Sequence, residues 1–337
     1  MTRIKVLSAG PSVTLQDRGR NGLSAFGLSA GGAMDPMALA EARALLGAGF
    51  DGCAIEMGQM GGRYTADGDL IIALTGARMK AQLDGESLAW GQTHAWPAGA
   101  ELEIGAATEG AYGYLAVAGT WQVPERFGAK STHIQAGIGA PMTGGDVLEL
   151  DPTPAEAGLG LPNWRTTATE VRVIPSVQSG WFGEEGRAWL ERTVFVKTAR
   201  ASRMGAALSF DGQGVQSDHG LSVTSEIVSL GDIQITGDGT PYVLMREAQT
   251  TGGYSRIATV ISADLPAFAQ LAVGAQIPFK FVTLEQALAA RVAQADFAKA
   301  LRGRVAPVVR APEMIHDLLS YTLVSGVVSA TDPEGWE

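Results

Sequence analysis

Apolar positions come mostly as short alternating runs, each closed by glycine, proline or aspartate. The run Ile4 to Leu7 ends at Gly10-Pro11. From Asp69 the pattern repeats through Leu70 to Thr75, Met79 to Leu83, His94 to Trp96, Glu101 to Ile104 and Tyr112 to Val117. Gly76, Asp84-Gly85, Pro97 to Gly99 and Gly105 to Gly110 stand between these runs as turns. Alternation in such short runs predicts strands, and regularly spaced turn residues predict a sandwich or barrel. Cys53 to Met57 is a further strand, and it sets Glu56 among apolar neighbours. A carboxylate there is either edge-exposed or paired. Val147 to Leu150, Val171 to Pro175, Thr193 to Lys197, Pro241 to Met245, Ile257 to Ile261 and Phe279 to Val282 continue the series, with Ile227, Ile233 and Ile235 marking more.

Helical spacing is rarer. Asp35 is a natural N-cap, Pro36 suits the first helical position, and Met37 to Leu46 are helix formers stopped by Gly47. Gly32 and Asp35 therefore have a purely structural role open to them, beside any role in a site. A short helix is predicted over Gly183 to Glu191, and a longer one over Leu284 to Leu301 from the spacing of Leu284, Leu288, Val292, Ala295 and Leu301. Beyond Pro307 the apolar set Ile315, Leu318, Leu319, Tyr321 and Leu323 is expected to dock. The stretch 151–164 holds three prolines and no periodicity, which reads as a linker. The expected organisation is a first β domain over 1–150, that linker, a second β domain over 165–283, and a helix with a docked tail over 284–337. No repeat of fixed period is present, but the two halves share a general plan of many strands with a helix.

Composition narrows the function classes. A chain of 337 residues has room for two cored domains. Its net charge of −10 argues against nucleic acid or anionic membrane as a partner. No apolar run approaches the roughly 18 residues of a membrane span, and Met1 to Gly10 lacks the apolar centre of a secretory signal. The single cysteine, Cys53, leaves no disulfide framework and no cysteine-rich zinc site. A cytoplasmic location is the simplest expectation.

Among candidate motifs, Gln249-Thr250-Thr251-Gly252-Gly253-Tyr254 stands out. Lying between two predicted strands, it reads as a loop or tight turn. It is either a hairpin connection, with the glycines supplying positive φ, or a binding loop whose backbone approaches a ligand. Gly27-Leu28-Ser29-Ala30-Gly31 matches G-x-S-x-G, but a nucleophile elbow needs a helix directly after it in a parallel α/β sheet, and here the helix starts late. A Ser29 nucleophile, which fluorophosphonate labelling would reveal, is a distant third reading. Phe127 to Thr132 hints at a phosphate loop but lacks the glycine before Lys130. His94, His133, His219 and His316 are scattered without metal-ligand spacing, so no metal is expected. The remaining polar clusters are Asp17, Arg18 and Arg20; Asp35; Ser202 and Arg203; Glu226; and Glu247 to Tyr254. Arginine beside glycine loops suits carboxylate or phosphate ligands.

Taken in order, Gln16-Asp17 with Gly19-Arg20, Gly32 to Asp35, Glu56, Leu74 to Ala77, Tyr114 to Gly119, Ser131-Thr132, Arg203-Met204-Gly205, Gln249 to Tyr254 and Ile257 to Leu265 resemble the allophanate hydrolase subunit 2 family. That family also goes by the 5-oxoprolinase C-subunit family or the biotin-dependent carboxyltransferase family. The resemblance covers most of the chain, and Gln-Thr-Thr-Gly-Gly-Tyr is its specific marker. It implies a mainly β fold of two cyclophilin-like β-barrel domains with a few short helices.

The resemblance also implies a subunit of a complex whose usual partner belongs to the allophanate hydrolase subunit 1 family. The implied activity is an ATP-dependent 5-oxoprolinase-type opening of a small cyclic amide or urea-like substrate, with ATP bound through the complex. Two alternatives stay open: a carboxyltransferase component with biotin on a partner, or a non-catalytic regulatory partner. Arg203, Gln249, Thr250 and Tyr254 are the candidate catalytic residues. Thr251, Gly252 and Gly253, with Asp17, Arg20 and Asp35 from the other domain, are the candidate substrate-binding residues. The chain departs from the family pattern at Ala201-Ser202 before Arg203, at Glu247-Ala248 where Asp with a basic or small residue is usual, at Ser255 in place of a common proline, and at Arg43 and Ala48 in place of frequent asparagines.

Overall fold

A computed structural model describes residues 1–162, 165 and 170–308. The fold is mainly β. One twelve-stranded sheet takes the strands from Thr2–Ala9 to Leu159–Gly160 together with the late strand Ala306–Pro307. An eight-stranded sheet takes those from Val171–Ile174 to Phe279–Phe281, apart from a separate two-stranded ribbon of Ser222–Ile227 and Thr251–Tyr254. Each large sheet encloses its own apolar core, one around Ile72, Trp96 and Leu115, the other around Phe195, Ile233 and Phe268.

The second sheet closes through one bent segment. Gln276–Ile277 pairs with Phe195–Ala201 at one edge, and Phe279–Phe281 pairs in parallel with Val171–Ile174 at the other. Only Pro278 separates the two strands. It has no amide hydrogen to give a ladder, and its carbonyl accepts the Val171 amide at 2.9 Å, so the chain turns there without losing a donor.

In the first sheet, two expected turns are absent. Leu70–Leu83 and Glu101–Val117 are single long strands paired with each other. Gly76 has φ of 79°, but this conformation makes a bulge in a continuing strand, and the register shifts between Gly76 and Arg78 and again to Ala81. Glycine signals a left-handed residue, and a bulge uses one as readily as a turn does. The stretch 151–162 is also more integrated than a linker: Leu159–Gly160 pairs with both Gln92–Trp96 and Ala306–Pro307.

Four α-helices occur among the described residues. Helix α1, Pro36–Leu46, starts and stops where its caps predict, and it packs Ala38, Leu39, Ala42 and Leu45 against Ala73, Tyr114 and Ala116. Helix α2 is Gly183–Arg192. Helix α3, Leu265–Gln270, has no sequence expectation behind it, being too short for periodicity to register. Helix α4, Leu284–Ala300, opens with a capping box from Thr283 and Gln286. Its apolar stripe is not the buried face that the spacing predicts: Leu284, Leu288 and Val292 are exposed, and the helix packs instead through Ala287, Phe297 and Ala298, with Leu301 buried just beyond its end. The apolar tail set of residues 315–323 lies outside the described residues.

Lys197 ties the C-terminal end of α3 to the second sheet. Its ammonium donates to the carbonyls of Ala269 at 3.0 Å and Leu271 at 2.7 Å. Burial pushes its pKa down to about 8 from the usual 10.5. The folded state therefore binds fewer protons than the unfolded state between these values, and stability gains with pH across that window. Relative to Lys197→Met, the native chain should become more stable as pH rises from about 8 to 10.5, as read by urea unfolding at fixed ionic strength. An unchanged difference would show that Lys197 stays charged.

Candidate active site at the seam between the halves

The halves meet along helix α1, the strand Glu101–Val117 and helix α3. Met34 inserts into the second core, and Tyr112 packs against both sides. Gln270, at the end of α3, accepts the amides of Ala111 and Tyr112 at 2.9 Å each and donates to Asp35 Oδ2 at 2.8 Å.

Two arginines organise this seam, Arg203 buried and Arg165 partly exposed, each between two carboxylates. Arg203 is 6% exposed. Its Nη1 pairs with Glu56 Oε1, its Nε with Glu247 Oε1, and its Nη2 donates to Gly32 O at 2.6 Å. Burial pulls its pKa down, but Glu56 and Glu247 override that and raise it, so the guanidinium is permanently charged. Arg165 donates to Asp35 Oδ2 at 2.7 Å and to both oxygens of Glu41 at 2.9 and 3.0 Å. Tyr114 links the two groups: its hydroxyl donates to Glu56 Oε2 at 2.7 Å and accepts the Asp35 amide at 2.8 Å. Burial, and then the Glu56 charge, hold the phenol well above its ordinary pKa, so it remains a donor.

Asp35 thus has both roles considered for it. Oδ1 caps α1 through the amides of Met37 and Ala38, while Oδ2 faces Arg165 and Gln270. Glu56 is paired rather than edge-exposed. Asp17 and Arg20 belong to a neighbouring loop system. Asp17 accepts the amides of Gly19 and Lys130 at 2.8 and 2.7 Å. Arg20 donates to Arg126 O and Ser131 Oγ at 2.9 and 3.0 Å and to Ser131 O, which pins the loop 126–131. Lys130 Nζ is held by Asp51 Oδ2 at 2.9 Å and Trp121 O at 2.8 Å, so this loop extends no free lysine to a phosphate.

The hexapeptide is not a simple turn. Thr251–Tyr254 is a strand, pairing antiparallel with Ser222–Ile227 in the register Glu226↔Gly252 and Ser222↔Tyr254. Neither Gly252 nor Gly253 has positive φ. Close packing surrounds Gly252 instead: a Cβ there would lie 2.4 Å from Gln234 Nε2 and 3.1 Å from a Val228 methyl, so both side chains would have to shift. Both ends of the segment are fixed. Glu247 anchors the start, through Arg203 and through its own amide to Arg203 O at 2.8 Å. Arg256 anchors the other end, reaching Glu226 at 2.8 Å, Ile227 O at 2.7 Å and Asp232 at 3.4 Å. Between these anchors, the side chains of Gln249, Thr250, Thr251 and Tyr254 make no hydrogen bond among the described residues, and Tyr254 is 40% exposed.

Several seam residues carry no sequence signal. Gln270 lies on the unexpected helix, and Tyr114, though it opens one of the resemblance segments, sits in an ordinary strand with nothing to mark it as a link between Glu56 and Asp35. His133 meets Ser29, with Nε2 to Oγ at 2.9 Å, and Glu247 Oε2 is 3.7 Å from Nδ1. This approaches a nucleophile–base pair, but the Ala136 amide donates to Nδ1 at 3.2 Å. Burial also lowers the His133 pKa, against an opposing pull from Glu247. The neutral ring therefore carries its proton on Nε2 and donates it to Ser29, and in that tautomer it cannot take the serine proton.

Similarity to known proteins decides the family. The carboxyltransferase domain, subdomains A and B, matches residues 26–281. The chain belongs to this family. It is 33% identical to the C-subunit of 5-oxoprolinase from Escherichia coli strain K12 over 312 residues, covering 90% of this chain and 98% of that protein. The crystal structure of TTHA0988 superposes with a TM-score of 0.74 at 31% identity, covering 83% of this chain and 56% of that one. The Kluyveromyces lactis urea amidolyase shares the fold, with a TM-score of 0.81 at 22% identity, and this chain spans 21% of its length. Two family departures acquire a physical account. Glu247 supplies the carboxylate beside Arg203, and Ser255 donates its amide to Leu221 O at 3.0 Å, a bond that proline could not make.

Proposed function

We propose that this chain is one subunit of an ATP-dependent 5-oxoprolinase-type complex, acting with an allophanate hydrolase subunit 1-family partner to activate a small cyclic amide. The observation that carries the reading is the near end-to-end similarity to the 5-oxoprolinase C-subunit. The geometry supports it. Opening an amide requires donors aimed at a developing anionic oxygen. The unengaged Gln249, Thr250, Thr251 and Tyr254 are held between two anchored arginines, the arrangement a preorganised site needs. ATP belongs to the complex rather than to the loop 127–132, where Lys130 is already held. A second reading, transfer of a carboxyl group from biotin on a partner to a urea-like substrate, draws support from the family's carboxyltransferase name.

The reading is tested on the co-expressed complex. The two chains should elute together, with an interface above roughly 2,000 Å² if it is obligate. Gln249→Ala should leave the melting temperature within the effect of about 0.5 kcal/mol typical of a surface change. Its turnover should nevertheless fall tenfold or more, equivalent to about 1.4 kcal/mol of lost transition-state binding. Unaltered kinetics in a well-folded Gln249→Ala complex would remove that residue from the site.

A further inference from the structure

The first half contains a cleft of about 580 Å³ whose lining includes no residue of the hexapeptide. That volume lies within the range of small-molecule sites. Ile138, Met142 and Leu148 give it an apolar wall, and Phe127 stands at its edge.

Its charges are unevenly matched. Arg20, which lines it, is 2% exposed, yet every partner of its guanidinium is a neutral oxygen: Arg126 O at 2.9 Å, Ser131 Oγ at 3.0 Å, Ala129 O at 3.5 Å, and Ser131 O. Arg203, by contrast, holds two carboxylates. Asp17 and Glu247 are near enough to act on the Arg20 charge, but neither pairs with it: Asp17 is taken by the amides of Gly19 and Lys130, and Glu247 by Arg203. A buried cation bound only by neutral acceptors keeps its charge uncompensated. Arg126 also lines the cleft, and its side chain has no partner among the described residues. Lys130 is offset by Asp51. Against the two arginines the lining sets only Asp146, which already caps a turn through the amide and hydroxyl of Thr143. In a chain of net charge −10, this cleft carries a local positive excess.

Phe127 adds an observation independent of charge. Arg126 and Ala129 pair across a two-residue turn, in which Phe127 has φ of 56° and Gly128 φ of 77°. A turn with both central residues left-handed favours asparagine followed by glycine. An aromatic side chain at the first position is strained, and here the ring is also 69% exposed. The fold gains no burial from it, whereas a ligand in the cleft would.

We propose that this cleft binds a small amphipathic monocarboxylate, with its chain along the apolar wall, Phe127 closing over it, and its anionic end held by the field of Arg20 and Arg126. Arginine charge suits a carboxylate, and an excess of one positive charge over Asp146 suits a single negative one. The site is separate from the amide-opening chemistry of the seam and does not depend on it.

Calorimetry on the full-length chain at fixed ionic strength tests this with octanoate, 1-octanol and acetate as probes. Octanoate should bind at least tenfold more tightly than octanol, and acetate should give no measurable heat. Arg126→Ala should cut the octanoate preference severalfold and leave octanol binding unchanged. Phe127→Asn should weaken both chain-bearing probes without lowering the melting temperature, because asparagine accepts the left-handed conformation. A ring with a merely structural role would give the reverse, a lower melting temperature and unchanged binding. Octanol binding as tight as octanoate, acetate binding as tight as octanoate, no octanoate binding at all, or octanoate affinity unaltered in both variants would each overturn the proposal.

Discussion

Arg203→Ala should be among the most destabilising single changes in this chain. It strips the shared cation from Glu56 and Glu247 and leaves both carboxylates buried. Breaking a buried ion pair from one side costs roughly 3–5 kcal/mol, because the remaining charge is uncompensated. Arg203 belongs to the second half, whereas Glu56 and Gly32 belong to the first, so the damage falls on the junction. Calorimetry should show a melting point lower by roughly 4–7 °C, with the single transition expected of the native chain separating towards two. Arg203→Met combined with Glu56→Gln and Glu247→Gln should recover part of the loss, since no buried charge is then left unpaired. A melting curve for Arg203→Ala that overlays the native one would show that the halves are joined elsewhere.

Asp35→Ala should have the next largest effect, and it can be separated into two parts. Loss of the N-cap costs about 0.5–2 kcal/mol. Leaving the Gln270 amide and Arg165 short of an acceptor adds roughly 1–3 kcal/mol. Asp35→Asn keeps a good cap but removes the charge, so it should retain the first part and lose most of the second. Urea unfolding of the two variants measures the difference directly. Native-like stability of Asp35→Asn would mean that the charge facing Arg165 contributes little, and equal stabilities for Asn and Ala would mean the same of the cap.

Local chemistry in the sequence accounts for much of the fold. Asp35, Pro36 and Gly47 fix the ends of α1, because capping depends on residues adjacent in the chain. Strand positions follow from alternation. Bulges do not: Gly76 looks the same in the sequence whether its left-handed φ reverses the chain or only kinks a strand. The apolar stripe of α4 shows another limit, since periodicity reveals a helical face but not what covers it.

The site is legible only through the residues of the family resemblance, Arg203, Asp35, Glu56 and the hexapeptide. Their partners are not. Arg203 and Glu56 are 147 positions apart, and Asp35 and Gln270 are 235 apart. No spacing rule reaches across such distances, so the parts played by Gln270 and His133, and the link Tyr114 makes between Glu56 and Asp35, emerge only when the fold is assembled. Asp17 and Arg20 illustrate the converse. Both carry the polar, glycine-flanked character of binding residues, and the fold uses their hydrogen bonds to tie loops to one another.

A necessary subunit of an amide-opening complex has to make itself felt in turnover. The deciding assay is ATP-dependent release of glutamate from 5-oxoproline by the complex reconstituted from an allophanate hydrolase subunit 1-family partner and its companion protein, with and without this chain. Robust turnover is expected only when the chain is present, and negligible turnover from the chain alone. Full activity without it, or activity from the isolated chain, would contradict the proposed role.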